Sequence, residues 1–163
     1  MGMDKETRKK LIDQYKDGYR VVAEALAGAT DEELDTPPAP GKWTAREIAH
    51  HLGDSEMTAA VRLRLLVATP GPQIVGYDQE EFARRLHYDK RPIEASLDAF
   101  NAARRSTAEI LERMTEAEWL REGTHSESGR YTPEGWLEIY AGHAHAHADQ
   151  ILVARDAGKH RKV

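Results

Sequence analysis

The hydrophobic residues of this chain recur every three or four positions along four long segments, which predicts four amphipathic α-helices. No segment has a convincing strand alternation, although the polar, glycine-containing stretch at 120–131 favours a loop or a weak hairpin. Four such helices indicate an all-α protein with the architecture of a four-helix bundle. The helices are predicted at about 4–27, 44–69 and 92–114, and from 132 to a charged, frayed tail at 156–163.

Capping residues mark several of the predicted helix boundaries. Thr44 and Glu47 have the spacing of a capping box at the start of the second helix, and Thr132 is expected to cap the fourth. Pro92 is expected as the first helical residue of the third helix, and Gly28 as the residue that ends the first. The long connection before Pro92 means that the bundle need not have a simple up-down topology. Shorter helical segments are predicted at 30–34 and 79–87.

Composition narrows the class of protein. The 163 residues fit a single domain, 1–163, and the absence of cysteine excludes disulfides, thiolate metal sites and cysteine nucleophiles. The net charge of -5 argues against a nucleic-acid-binding domain, which is usually basic. No segment approaches the roughly 20 apolar residues of a membrane span, and the first residues lack the apolar core of a signal peptide. We therefore expect a cytoplasmic protein with neither nucleic acid nor membrane as a partner.

Three of the eight histidines lie within five residues, at His143, His145 and His147. Residues four apart on a helix point about 40° apart, so His143 and His147 share a face while His145 points roughly the opposite way. Two imidazoles one turn apart on one face can bind the same metal ion. The spacing therefore predicts a metal site on the fourth helix if another element supplies a third ligand.

The second helix offers that ligand at His51, three residues after Ile48 on the inward face, whereas His50 is expected to face solvent. Three neutral imidazoles, His51, His143 and His147, leave a position open for water, as in catalytic rather than structural metal sites. The residues leave a second interpretation open, in which the three are hydrogen-bonded core histidines without a metal. The remaining histidines are interpreted as surface residues: His50, His87, His125, His145 and His160.

Neighbouring residues bear on the chemistry of this site. Asp54 is either an acceptor for an imidazole N–H or, more simply, a solvated acid. A metal sealed by Leu52, Ile139 and Ile151 would favour a structural role, whereas a pocket beside the histidines would favour catalysis. The inward stripe of the fourth helix is predicted as Trp136, Ile139, Tyr140, His143, His147, Ile151 and Ala154.

Several metal and nucleophile motifs are excluded. A zincin helix needs Glu directly after its first His, and that position holds Ala144. A carboxylate-bridged di-iron bundle needs two Glu-x-x-His pairs, and the only fit, Glu47 with His50, is predicted to face outward. The chain contains neither a glycine-rich phosphate loop nor a Gly-x-Ser-x-Gly elbow.

An ordered set of short motifs resembles the DinB/YfiT-like superfamily of metal-binding four-helix bundles. The resemblance extends over about 10–155. Its motifs are Gly41-Lys42-Trp43-Thr44-Ala45-Arg46-Glu47-Ile48, His51-Leu52-Gly53-Asp54-Ser55-Glu56, Arg62-Leu63-Arg64, Gly76-Tyr77-Asp78, Phe82-Ala83, Gly129-Arg130-Tyr131-Thr132, and His143 with His147 followed by Gln150-Ile151.

The resemblance implies one divalent metal, variously nickel, zinc, iron or manganese, bound by three histidines that correspond to His51, His143 and His147. Water completes the shell in the family, and dimers are common, which implies a homodimer here. The YfiT branch is described as proposed metal-dependent hydrolases, and related branches transfer bacillithiol, mycothiol or similar small thiols. Where the family often has a further His or aromatic residue, this chain has His145 and Ala146.

Two classes of function follow. The first is a metal-dependent enzyme on a small-molecule substrate, either a hydrolase or a thiol S-transferase. The second is a non-catalytic metal-binding module of a stress response. No general base is identifiable in the sequence, which slightly favours the transferase because a metal-bound thiolate needs none. Tyr77, Trp136 and Tyr140 are either pocket lining or plain core.

Overall fold

Four long helices form the structure, a computed structural model that describes residues 2–160. None of the helices among these residues is long and apolar enough to cross a membrane. The long helices are α1 (Lys5–Leu26), α3 (Ala45–Ala68), α5 (Glu94–Leu111) and α7 (Pro133–Lys159). The shorter elements are α2 (Asp31–Asp35), β1 (Gln73–Ile74), α4 (Gln79–Arg85), α6 (Glu116–Trp119), β2 (Gly123–His125) and β3 (Gly129–Tyr131).

The first and last long helices run parallel. The Gln14 carbonyl accepts a hydrogen bond from His145, and the Ala25 carbonyl, further along α1, accepts one from Arg155, further along α7. This pair forms one side of the bundle, whose order around the axis is α1, α7, α3 and α5.

The third helix runs antiparallel to the seventh. His51, early on α3, lies against His143, whereas the carbonyl of Ala59, later on α3, accepts a hydrogen bond from the indole of Trp136, earlier on α7. The antiparallel crossing places one turn of α3 opposite the histidine-rich turn of α7. This is the contact that creates the candidate site.

The fifth helix runs parallel to the third. Near the start of both helices, His50 of α3 bonds Ser96 of α5. Towards the end of both, Arg64 of α3 bonds Thr107 of α5. The predicted four-helix bundle is confirmed, with an up-down-down-up arrangement that requires a crossover between α3 and α5. This crossover carries β1 and α4, and β1 pairs parallel with β2 of the β2–β3 hairpin.

Local signals explain where the elements begin and end. Gly28 has a φ of 65° after α1, as its predicted capping role requires. The short helix α4 ends at Arg85, earlier than predicted, and His87 follows it with a φ of 55°. The prediction that Pro92 opens α5 was wrong, because the helix begins at Glu94. The carbonyl of Arg91 is bonded by His50, which holds this segment in the crossover instead.

Two further elements escaped the sequence analysis. The hairpin was one of two alternatives for 120–131, but its parallel pairing with β1 was not foreseen. The short helix α6 was missed, although Thr115 and Glu118 form a capping box with Glu118 bonding back to the Thr115 N–H at 2.7 Å. A Thr-x-x-Glu pair indicates a helix start most clearly when an apolar run follows it, and no such run follows Glu118.

The inward face of α7 differs from the prediction at one position. Ile139 is 53% exposed, so its assignment to the inward stripe was wrong. The centre of the buried face runs through Leu137, Ala141, Ala144 and Ala148, because α7 packs on both α1 and α3. As a consequence, His143 and His147 lie at the edge of the buried face, where solvent can reach them.

The end of α7 is also more ordered than predicted. The helix continues through Lys159, so the prediction of a frayed tail from Asp156 was wrong for 156–159. Residues 161–163 lie outside the described part of the chain. Gly158 packs on α2, where a built Cβ would lie 2.7 Å from the Glu33 Cα and 3.0 Å from the Glu32 carbonyl oxygen. The last turn of α7 is therefore docked tightly against backbone.

Alanine at Gly158 is expected to lower the free energy of unfolding by about 1–3 kcal/mol, because backbone must move to admit the Cβ. Alanine at Gly142 on the same helix is the control, since its nearest neighbour is 3.9 Å away. That change should stabilise by about 0.5–1 kcal/mol through helix propensity. Urea unfolding of the two variants measures both effects. Equal stabilisation by both would show that the tail does not pack on α2.

Candidate metal centre

Capping at two helix starts positions the candidate ligands. Thr44 accepts the Glu47 N–H at 3.2 Å while the Glu47 carboxylate accepts the Thr44 N–H at 2.8 Å. This box fixes the first turn of α3, two turns before His51. Thr132 caps α7 through its side-chain oxygen alone, which accepts the N–H of Gly135 at 3.1 Å.

The three predicted histidines come together in the structure. The ring centroids of His51 and His143 are 5.4 Å apart, those of His51 and His147 are 4.8 Å apart, and those of His143 and His147 are 4.5 Å apart. One ring nitrogen from each lies within 4.8 Å of the others. Among residues 2–160 this is the one group of three or more such side chains whose geometry could hold a metal ion.

The protonation of His147 is set by a neighbour. Its Nδ1 lies 2.8 Å from Oε1 of Gln150, which can only accept, so Nδ1 carries the proton and Nε2 presents its lone pair. That Nε2 lies 3.2 Å from Nε2 of His143. Two nitrogens bound at about 2.0–2.1 Å to one ion lie about 2.8–3.4 Å apart for bond angles of about 90–109°. The donor set thus fits a transition metal, and Gln150 supplies the outer hydrogen bond that such histidines usually have.

Burial keeps all three imidazoles neutral at physiological pH. Desolvation, with the neighbouring His147, lowers the pKa of His51 to about 4. Desolvation, followed by electrostatic interactions with His147, His51 and Arg104, lowers the pKa of His143 to about 3. The pKa of His147 is lowered as well, mainly by burial. Neutral imidazole is the form that donates a lone pair to a metal.

The cluster is buried on one side and accessible on the other. His51 is 4% exposed, while His143 and His147 are partly exposed. Of the three side chains that could seal a structural site, Leu52 and Ile151 are fully buried in the core, but Ile139 is 53% exposed. The cluster is therefore not fully enclosed, because solvent reaches it on the side of His143 and His147.

Aromatic side chains flank the accessible side. Trp43 lies beside His51 with ring centroids 4.9 Å apart, and its indole N–H donates to Glu80 at 3.1 Å. Tyr140 meets the edge of His143 at 5.7 Å. Trp136, another of the three candidates for pocket lining, is fully buried, so it belongs to the core.

A buried charged cluster beneath the site was missed. Glu56 and Arg104 form an ion pair at 2.9 Å with side chains only 1% and 2% exposed. Tyr15 donates to the same carboxylate, and burial followed by the Glu56 charge raises the pKa of that phenol. Arg104 also donates to the carbonyls of Tyr15 at 2.6 Å and Tyr140 at 3.1 Å, so it joins α1, α3, α5 and α7. Glu56 appears in the sequence only as the end of a family motif, and its spacing gives no indication of a partner on another helix.

Three histidines that were predicted to be on the surface are buried or half-buried in the structure. His50 is fully buried: its Nε2 donates to the Arg91 carbonyl at 3.0 Å and its Nδ1 accepts from Ser96 at 2.7 Å. That prediction was wrong because α5 covers the face of α3 opposite α7. His125 is 8% exposed, within the small sheet, and His145 is half-buried against α1.

His87 and His160 are exposed, as predicted. Asp54 does not bond an imidazole, and its carboxylate accepts a hydrogen bond from Tyr88 instead. The outer acceptor is therefore Gln150, whose position three residues after His147 could have indicated this role.

The chain has relatives of known name and structure. A sequence model of the DinB superfamily matches residues 14–151. The "putative metal-dependent hydrolase" of Oceanobacillus iheyensis is 33% identical over 140 residues, covering 86% of this chain and 81% of that protein. The solved structure of YfiT from Bacillus subtilis, described as "a probable metal-dependent hydrolase with an unusual four-helix bundle topology", superposes with a TM-score of 0.89 at 27% identity, covering 96% of this chain and 91% of that one.

Proposed function

This chain belongs to the DinB superfamily, and we propose that it is a hydrolase of a small molecule that uses one divalent transition metal. The observation that carries the proposal is the convergence of three neutral imidazoles at an accessible edge of α7. Zinc, nickel, iron and manganese are the candidate metals. The relatives named as metal-dependent hydrolases support the same reaction class.

Each residue has a stated role in this proposal. His51, His143 and His147 bind the metal, which when bound acts as a Lewis acid and lowers the pKa of coordinated water. Gln150 holds the Nδ1 proton of His147 so that Nε2 stays available. Trp43 shields the His51 side from solvent, which strengthens electrostatic interactions there.

A thiol S-transferase is the second candidate function. The two acids that follow His51 on α3 are both engaged, Asp54 by Tyr88 and Glu56 by Arg104 and Tyr15. Neither carboxylate is free to take a proton from water, and a metal-bound thiolate needs no such base. Assembly as a homodimer stays a prediction from the family resemblance.

Reconstitution tests the proposed function. Protein stripped with EDTA is reloaded with zinc, nickel, iron or manganese, then screened against activated esters, amides and lactones. We expect hydrolysis to fall at least about 100-fold on stripping and to return with one metal equivalent, because the ion supplies several kcal/mol of transition-state stabilisation. Transfer of a small thiol to an electrophile without hydrolysis would favour the S-transferase. Loaded protein inactive in both screens would contradict catalysis and favour a non-catalytic metal-binding module.

A further inference from the structure

The side chain of Arg62 is a cation with neutral partners at the edge of the candidate site. Its Nη2 donates to the Val75 carbonyl at 2.9 Å, and its Nη1 lies 3.4 Å from the Tyr140 hydroxyl. Its Nε is buried and has no hydrogen-bond partner. No acidic side chain of residues 2–160 lies within ion-pair distance of this guanidinium.

Three buried arginines of this protein have carboxylate partners for their guanidinium groups, although the Nε atoms of Arg8 and Arg155, like that of Arg62, have no partner. Arg8, Arg104 and Arg155 each pair with at least one carboxylate, at distances between 2.9 and 3.2 Å. This is the ordinary way to compensate a charge removed from water. Arg64, on the same helix as Arg62, also lacks a carboxylate, but it bonds Ser106 and Thr107 on α5, away from the histidines.

Tyr140 connects the guanidinium to the histidines. One end of its side chain meets the edge of the His143 ring, and its hydroxyl faces Arg62. Arg62 lies about three turns after His51 on α3, and long helical side chains lean towards the helix N-terminus, here towards His51. The charge is therefore separated from the metal-binding histidines by about the length of one tyrosine side chain.

The wall between them is largely aromatic. The Tyr77 ring lies 5.8 Å from the Arg62 guanidinium, and Tyr77 also neighbours Ser55, one turn after His51. Tyr77 packs on Phe82 at 4.4 Å, which holds the 75–82 segment over this side of α3. An apolar or aromatic body fits such a wall, with an anionic end at the guanidinium.

We infer that Arg62 binds the carboxylate of the substrate, while the scissile bond lies at the histidine cluster. The inference rests on the proposed function for its reaction, but the anion site stands on Arg62 alone. A single guanidinium suits a monoanion, since phosphate dianions are usually bound by more than one cation or by helix N-termini. The substrate class is therefore a small carboxylic acid with an apolar body and a hydrolysable group at its other end.

One acid near this segment needs to be considered. The Glu127 carboxylate packs against Gly76, where a built Cβ would meet its Cδ at 2.5 Å, so it approaches the residue after Val75. It forms no ion pair with Arg62 within 4 Å among the described residues. A structural role for Arg62 would consist of its bond to the Val75 carbonyl, and the variants must separate that bond from the charge.

Phenylacetate is the probe, titrated by calorimetry into metal-free protein, with benzyl alcohol as the uncharged comparison. Saturable binding of phenylacetate is expected in the parent, at least about tenfold weaker binding in Arg62→Gln, and near-parent binding in Arg62→Lys. Glutamine is too short to keep the bond to the Val75 carbonyl, so the thermal midpoint is measured for both variants, and Arg62→Lys, which keeps the charge, separates loss of the charge from loss of that bond. Arg64→Gln is the matched control and should bind as the parent does.

Four results would overturn the inference. They are no saturable phenylacetate binding by the parent, unchanged binding by Arg62→Gln, an equal loss in Arg64→Gln, or tighter Arg62-dependent binding of phenyl phosphate. Metal uptake is measured separately. Arg62-dependent binding without metal uptake would contradict the proposed function but support the anion site. Metal uptake and hydrolysis without dependence on Arg62 would support the proposed function but contradict the anion site.

Discussion

Alanine at His147 is expected to abolish stoichiometric metal binding. His147 contacts both other rings and presents a lone pair towards His143 at 3.2 Å, so its loss leaves only two ligands from different helices. Removing a hydrogen bond that merely orients a ligand typically costs 10–100-fold in affinity, and loss of a ligand should cost more than about 100-fold. Elemental analysis of tag-free protein, with competition against a chromophoric chelator, measures the change.

Two variants on the same helix calibrate that result. His145→Ala removes an imidazole that bonds the Gln14 carbonyl away from the cluster, and it should keep one metal equivalent. Gln150→Leu removes only the acceptor for Nδ1 of His147, and it should weaken binding by about 10–100-fold. Retention of one tightly bound equivalent by His147→Ala would place the metal elsewhere. A parent protein that takes up no zinc, nickel, iron or manganese would leave the three histidines as hydrogen-bonded core residues.

Methionine at Arg104 is expected to cost about 3–5 kcal/mol of unfolding free energy. The change leaves the Glu56 carboxylate buried with Tyr15 as its remaining donor. It also removes the bonds to the carbonyls of Tyr15 and Tyr140, which together with the bond to Glu56 join four helices. Since a domain of this size is stable by about 5–15 kcal/mol, the loss is a large fraction of the total. Urea unfolding followed by circular dichroism measures it.

The neighbouring Arg105 provides the matched control. It is exposed, so Arg105→Met should change stability by no more than about 0.5 kcal/mol. The double variant Arg104→Met with Glu56→Leu removes both charges and should recover part of the loss, because the cost arises mainly from the orphaned carboxylate. Equal stability of the Arg104 and Arg105 variants would show that the buried pair contributes nothing, and additive losses in the double variant would show that the two are uncoupled.

The helices were predictable because their signals are local. Thr44 and Glu47 set the start of α3 through bonds within one turn, and the spacing of His143 and His147 settles their shared face. The spacing of apolar residues along α3 also placed His51 correctly on the buried face of that helix. The predictions of burial were wrong where a helix packs on two other helices, because a single apolar stripe marks only one of the two buried faces. His50 faces α5, and Ile139 lies outside because α7 packs on two helices at once.

The sequence by itself determined the all-α class, the four long helices and the shared face of His143 and His147, since each depends on residues within one or two turns. Only the tertiary structure decided the up-down-down-up order, the pairing of Glu56 with Arg104 and the position of Arg62 beside Tyr140. These depend on contacts between residues far apart in the chain, and no periodicity encodes which helices become neighbours. Gln150 bonds a histidine on its own helix, so its role could have been predicted from the sequence. Arg104 bonds residues on three other helices, so its role could not.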